Sequence, residues 1–429
     1  DSAEAHFYLG RALEELGETD AALRAYQGAV SLGHPDPEAR YRLAKLERSL
    51  GLLGEAVRDM ERAVEGEGSP WSMELAYLYL EAGQAEEAEV LGRRGVASEP
   101  DNPQRCLQVG ILLHRLGKAE EALPWLEKAA ANLDAAESHA ALGAVYLSLQ
   151  RWPEARKQYQ AAARGVPKEE YQVKIAATLR LEGQLASAAG ILEMVLEANP
   201  DSAEACYQRA LVHREEKALP KAVELLRRAV ALAPQEGEYR YTLAELLSLL
   251  GMRDEVESHL KALIEAPTLS PQLLVGVGRV YELQERWEEA MACYQRAAAS
   301  RASAGCYHDI ARVWQRLGRL EEAATALERA ISLEGHHALW HSQLGQLRED
   351  LGEEDKALEC YFRAADLEPL EARHHYCVGV LLERKGRYAA SHIALEKAMR
   401  LQPDDTSIRA HLAAVTVKEA LERGTLGYG

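Results

Sequence analysis

Phenylalanine occurs only 2 times in this chain of 429 residues, and isoleucine and threonine eight times each. These are residues that suit a pleated sheet surface. Their scarcity beside abundant Ala, Leu, Glu and Arg excludes a β-rich fold and points to an all-α one. No run approaches about eighteen consecutive apolar residues, and no basic stretch followed by an apolar core opens the sequence, so neither a membrane span nor a signal peptide is expected. Cysteine is sparse: Cys106, Cys206, Cys293, Cys306, Cys360 and Cys377 never form a C-x-x-C pair. Scattered thiols in a long chain fit unpaired cysteines in a reducing compartment, so the expected location is cytoplasmic, with the periplasm as the alternative. Positive charge is in deficit, 50 Lys+Arg against 68 Asp+Glu, for a net charge of −18. That balance repels phosphate backbones and anionic lipid, so nucleic acid and direct membrane insertion are excluded as default partners. What remains, 47% apolar and 28% charged, is the composition of a folded chain.

At about 150 residues per domain the length suggests roughly three globular domains. Self-similarity replaces that estimate. Gly17, Gly51, Gly83 and Gly117 recur, and Ala122, Ala155, Ala188, Ala222, Val256, Ala290, Ala323, Ala357 and Ser391 carry the period onward in steps of about 34 residues. Upstream of that position each unit has a Gly or Ala, at Gly10, Ala44, Ala76, Gly110, Gly143, Ala176, Ala210, Ala244, Gly278, Ala311, Gly345 and Gly379. A larger side chain there would hold two helices apart, so this register marks a close helix crossing. A second small site follows, as at Ala29, Ala129, Ala229, Ala330 and Ala398, with large residues such as Leu43, Leu243, Tyr26 and Tyr294 between. Each unit therefore reads as helix A, a short turn usually holding Gly, helix B, and a breaker such as Pro100, Pro167, Pro200, Pro234, Pro369 or Pro403. Asp201-Ser202 and Asp36-Pro37 supply helix caps. Glutamate pairs such as Glu86-Glu87 and Glu321-Glu322 suit the positive end of helix B.

This pattern resembles the tetratricopeptide repeat, and the resemblance covers about residues 3 to 403. It implies an all-α solenoid, a right-handed superhelix of stacked antiparallel helix hairpins with helix A lining the concave surface. The division is twelve repeats over 1–403, a C-terminal capping helix over 404–422 with polar Lys418, Glu419 and Arg423, and a tail over 423–429. Departures fall at Gly92 and Gly95, at Val256 and Leu263, and at Ser391. Residues 1–5 repeat residues 201–205 letter for letter. The chain thus starts inside an array, and it is expected to be a piece of a longer protein with self-association through the uncapped first repeat.

No catalytic motif accompanies the repeats. Gly276-Val277-Gly278 lies inside a helix A with no strand before it and no third glycine, which argues against a nucleotide site. His213-Arg214-Glu215-Glu216 lacks the second histidine of a zinc-binding helix. His337, His341, His374 and His375 have metal-like spacing, but His341 and His375 occupy the place of a bulky packing aromatic, and that reading is preferred. No cofactor and no metal are expected, and the chain is read as not an enzyme.

The resemblance places function on the fifth, ninth and twelfth positions of each helix A. Two known uses of that groove lack their residues: no unit has the Lys and Asn pair that holds a C-terminal carboxylate, and the sixth position reads Tyr8, Arg42, Glu74, Gln108, Ala141, Lys174 and Gln208 rather than a ladder of Asn. The stripe instead carries an apolar and aromatic run, with Tyr41, Met73, Tyr77, Leu80, Leu107, Ile111, His114, Leu147, Tyr207, Leu211 and Tyr241. Arg180, Arg214, Arg279 and Arg312 continue it as one basic track on an acidic protein. An exposed apolar strip marks a binding surface, here for a partner helix or extended segment whose acidic groups meet the arginines. The expected function is a non-catalytic scaffold of a bacterial-looking protein. The rivals are the substrate-recruiting or regulatory region of a larger, glycosyltransferase-like enzyme, and a periplasmic or envelope assembly scaffold.

Overall fold

A computed structural model describes residues 2–65, 69–97, 99–133, 135–165, 168–266 and 269–423. The breaker expected at Pro167 and the tail from 424 onward lie outside the described residues. Among those described there are twenty-five α-helices and no strand. They fall into two compact units, Asp1–Leu232 and Ala233–Gly429.

The first unit is an α-solenoid of seven antiparallel hairpins. Their helices are α1 (Ala3–Glu15) with α2 (Thr19–Ser31), α3 (Glu38–Ser49) with α4 (Leu53–Ala63), α5 (Ser72–Glu81) with α6 (Ala85–Ala97), and α7 (Pro103–Arg115) with α8 (Ala119–Leu133). There follow α9 (Ala136–Ser148) with α10 (Trp152–Gly165), α11 (Glu169–Leu181) with α12 (Leu185–Ala198), and α13 (Ala203–Glu215) with α14 (Leu219–Leu232). The second unit has five more: α15 (Gly237–Leu249) with α16 (Arg253–Ile264), α17 (Pro271–Leu283) with α18 (Trp287–Ser300), α19 (Ala304–Arg316) with α20 (Leu320–Leu333), α21 (Ala338–Asp350) with α22 (Glu354–Leu367), and α23 (Ala372–Arg384) with α24 (Tyr388–Leu401). The last helix, α25 (Thr406–Glu422), lies against α24.

Local chemistry sets the helix ends. Ser202 caps α13 by accepting from the Ala205 N–H, Asn102 caps α7 ahead of Pro103, and Asp36 accepts from the Glu38 N–H at the start of α3. At the end of helix A the chain reverses through one left-handed residue, such as Gly17 at φ 77°, while the Glu18 N–H reaches back to the Leu13 carbonyl at 2.9 Å. Gln150, Lys217 and Glu285 make the same turn at φ near 60° with no glycine to ease it. The sequence marks the turn in these three repeats by length alone.

The small positions on helix A work by volume. A Cβ added at Gly10, Gly278 or Gly345 would lie 2.7 Å from the ring of Tyr26, Tyr294 or Tyr361, and one at Gly110 would lie 2.5 Å from Leu126. Those partners come from helix B of the same hairpin, and the three rings are fully buried. The departures from the repeat pattern have packing reasons too. Leu112 of α7 fills the space beside Gly92, since a Cβ there would meet Leu112 Cδ2 at 2.4 Å. Val256 and Leu263 are buried in α16, and the buried Ser391 hydroxyl donates to the Gly379 carbonyl at 2.7 Å.

Candidate functional site

The A helices of the first unit touch one another in sequence order, α5 with α7, α7 with α9 and α11 with α13. That contact decides which side chains of the stripe meet solvent. Met73, Leu107, Tyr207 and Leu211 are buried, so the expectation that they line an open strip is corrected. Packing against neighbouring helices covers these apolar side chains as in any core, and Met73 lies beside Gly95 of α6. Tyr41 is half-buried with its ring stacked on Trp71 at 4.8 Å and 13°. Tyr77, Leu80, Ile111 and Leu147 remain partly exposed, each seated on the core that Met73, Leu107 and Leu113 help to form. The Tyr77 hydroxyl donates to the Gln108 carbonyl of the next A helix at 2.8 Å, and burial pushes its phenol up to about 12. His114 is half-buried beside them, and desolvation lowers its imidazole below the usual histidine range.

The basic track also changes in the structure. Arg180 pairs with Glu215, which leaves its side chain 12% exposed. In the second unit Arg312 contacts Asp309 at 2.9 Å and Glu282 at 3.0 Å, while Arg279 lies 3.6 Å from the same Asp309. Arg214 is half-buried. Arg180, Arg279 and Arg312 are therefore each paired with acids of this chain, although Arg279 and Arg312 stay exposed. Asp309, itself buried, was missed by sequence reasoning; its signal is a carboxylate one turn before Arg312 on the same helix. Tyr241 is half-buried, its hydroxyl 3.3 Å from Glu245, and its ring lies over Gly276, where a Cβ would come within 2.7 Å. The two glycines of Gly276-Val277-Gly278 are thus accounted for by two aromatic rings, Tyr241 and Tyr294. Arg279, Val275 and Asp309 line a cleft of about 740 Å³ with Pro271, Ser303 and Cys306.

Models of the family described as tetratricopeptide repeat match residues 3–46, 179–246, 273–304, 303–333 and 342–406. The chain belongs to the tetratricopeptide repeat proteins. It is 24% identical over 230 residues to the human protein O-mannosyl-transferase TMTC1, a match covering 49% of this chain and 22% of that protein's length. Among solved structures it is similar to yeast Tom70, with a TM-score of 0.47, 15% identity, and coverage of 85% of this chain and 92% of that one. It is also similar to a chain of the APC/C hetero-tetramer Cut9-Hcn1, with a TM-score of 0.44, 11% identity, and coverage of 97% and 96%.

The histidine candidates of this repeat protein take partners close by in the chain. His341 and His375 sit at the bulky packing position and approach the carbonyls of Gly335 and Pro369 at 3.2 and 3.0 Å. His337 lies against the Trp340 ring and Glu334, and His374 against Glu368 at 3.3 Å, so the four imidazoles take separate partners. Among the described residues no three His, Cys, Asp or Glu side chains converge as a metal-ligand set. The six cysteines are free, four of them buried, and burial pushes the Cys293 and Cys360 thiols up to about 11. Among the described residues no helix is long and apolar enough to cross a membrane.

Proposed function

We propose that this chain is a protein-interaction scaffold whose first unit holds a partner helix or extended segment on its A-helix face. The observation that carries this reading is the row of half-exposed Tyr77, Leu80, Ile111, His114 and Leu147 on the contiguous helices α5, α7 and α9. Apolar surface that stays partly wet while seated on a rigid core gains most from being covered by another chain. Residues 1–403 would be the repeat array and 404–422 its cap. In support of the cap, Lys418 and His411 of α25 reach Glu383, and Glu419 reaches His392, each at 2.8 Å, so its polar residues turn inward to neighbouring helices as well as outward. The free cysteines support the cytoplasmic location over the periplasmic one. A second reading rests on the match to the mannosyl-transferase: the same face would recruit substrate for an enzyme of which this chain is the repeat region.

A photo-crosslinking residue at position 111 or 147 is expected to capture a polypeptide that one at Met194, exposed on α12, does not. Ile111→Asp with Leu147→Asp should abolish capture from a crosslinker at position 80 while the far-ultraviolet circular dichroism stays helical. Identical capture at positions 111 and 194, or full capture by the double variant, would overturn the reading. Leu211 is unsuited to this experiment because it is buried, and a charge there tests stability instead.

A further inference from the structure

In three repeats the eleventh position of helix A is a polar residue with a glutamate partner. Tyr79 and Tyr146 donate their hydroxyls to Glu61 and Glu127 at 2.7 Å, and Arg348 pairs with Glu328; each glutamate comes from helix B of the preceding hairpin. In the second repeat this position is Glu47, and the residue opposite it is Gln27. Glu47 is only 2% exposed, and its Oε2 has no hydrogen-bond partner. Both residues line a cavity of about 390 Å³ bounded by α2, α3 and α4, with Ser31, Glu55, Asp59 and Arg58 around it. Two of the neighbouring charged side chains have other contacts. Asp59 pairs with Arg40 at 3.2 Å, and Arg58 donates from Nε to the Gly54 carbonyl at 3.2 Å. Arg58 and Arg62 line the same cavity, and the Arg58 charge acts on Glu47 without pairing with it. A buried carboxylate whose Oε2 accepts no hydrogen bond is costly, and the group that would satisfy it is a cation that donates hydrogen bonds. The carboxylates do not converge as a metal-ligand set, so the complement is an organic cation.

We infer that this cavity receives one cationic side chain, arginine or lysine, from a polypeptide lying across the B-helix side of the first two hairpins. The site is separate from the A-helix face and does not depend on it. The charged groups that line the cavity with Glu47 are Glu55, Arg58, Asp59 and Arg62, and Arg40 pairs with Asp59. Burial, reinforced by Asp59 and Glu55, raises its carboxyl to about 7, so a cation should bind more tightly at about pH 8 than at about pH 6.

Calorimetric titration with N-acetyl-arginine amide and N-acetyl-lysine amide tests the inference at about pH 8, with N-acetyl-citrulline amide as the neutral analogue. One or both charged probes are expected to bind at least about tenfold more tightly than citrulline, the ratio separating arginine from lysine. Glu47→Gln should lower that affinity by about tenfold, and Glu47→Leu should remove it while leaving the helical content unchanged. Ile111→Asp should leave it intact. Equal binding of arginine and citrulline, no binding of either cation, undiminished binding by Glu47→Leu, or a crystal structure with the Arg58 guanidinium on Glu47 would each overturn the inference.

Discussion

Gly345→Leu is expected to open the eleventh hairpin, destabilising it by about 3 kcal/mol or more. The glycine lies on α21, where an added Cβ would stand 2.7 and 2.8 Å from two ring carbons of Tyr361 on α22. Carbon atoms prefer about 3.5–4.0 Å, so the ring has to move. It cannot move cheaply: Tyr361 is 1% exposed, and its hydroxyl donates to Glu349 at 2.9 Å. The same trade recurs along the chain. Tyr26, Tyr159, Tyr294 and Tyr361 each face a glycine, Gly10, Gly143, Gly278 and Gly345. Where helix A carries Ala44, Ala176, Ala210 or Ala244 instead, the corresponding helix B residue is Met60, Leu192, Leu226 or Leu260. Gly345→Ala alone gains about 1 kcal/mol of helix propensity against an overpacking cost of about 1–3 kcal/mol, and should be mildly destabilising. Adding Tyr361→Leu should recover most of the loss, because Ala opposite Leu is a combination this chain already uses. Each hairpin of a solenoid depends mainly on its neighbours, so hydrogen exchange in α21 and α22 is the suitable measurement. Unchanged protection in Gly345→Leu, or a double variant no better than the single ones, would show that the ring and the glycine are not coupled.

Glu47→Leu is expected to stabilise the first unit by on the order of 2 kcal/mol at about pH 8, and by clearly less at about pH 5. The folded state holds this carboxyl near 7 against an ordinary value of 4.5, chiefly through desolvation. A raised acid pKa means that the native state binds the proton more tightly than the unfolded chain. Its contribution is therefore complete below the ordinary carboxylate range and is lost as pH rises through about 7. Leucine removes that pH-dependent loss and also suits the site, since the same register holds Leu13, Leu113, Leu179, Leu247 and Leu382 elsewhere. Denaturant midpoints of the two proteins at both pH values check this. An equal gain at pH 5 and pH 8 would assign the effect to packing alone, and a loss at pH 8 would mean that the carboxylate has a partner in solution. A residue that costs stability and sits over a cavity is the usual mark of a site kept for binding.

The repeat, the helical class and the close crossings were legible in the sequence because they rest on spacing. A period of about 34, a Gly or Ala before each turn, and glutamates at helix starts are local or periodic features, and each follows from the covalent chain and helix geometry. The exposure of the stripe was not legible. Helical spacing places Met73, Leu107, Tyr207 and Leu211 on one face of helix A, but whether that face meets water depends on how the neighbouring helices pack, and all four side chains are buried. Nor was the neutralisation of Arg180 and Arg312, whose partners Glu215 and Glu282 lie in the neighbouring repeats. Glu47 was not legible as a site either, because the eleventh position holds Leu, Tyr, Trp, His and Arg in other repeats, and that its Oε2 lacks a partner depends on the packing of α2, α3 and α4. The sequence by itself determined what every repeat shares, because each repeat solves the same packing problem. The tertiary structure alone decided which side chains are left over, because that depends on contacts between residues roughly one repeat apart.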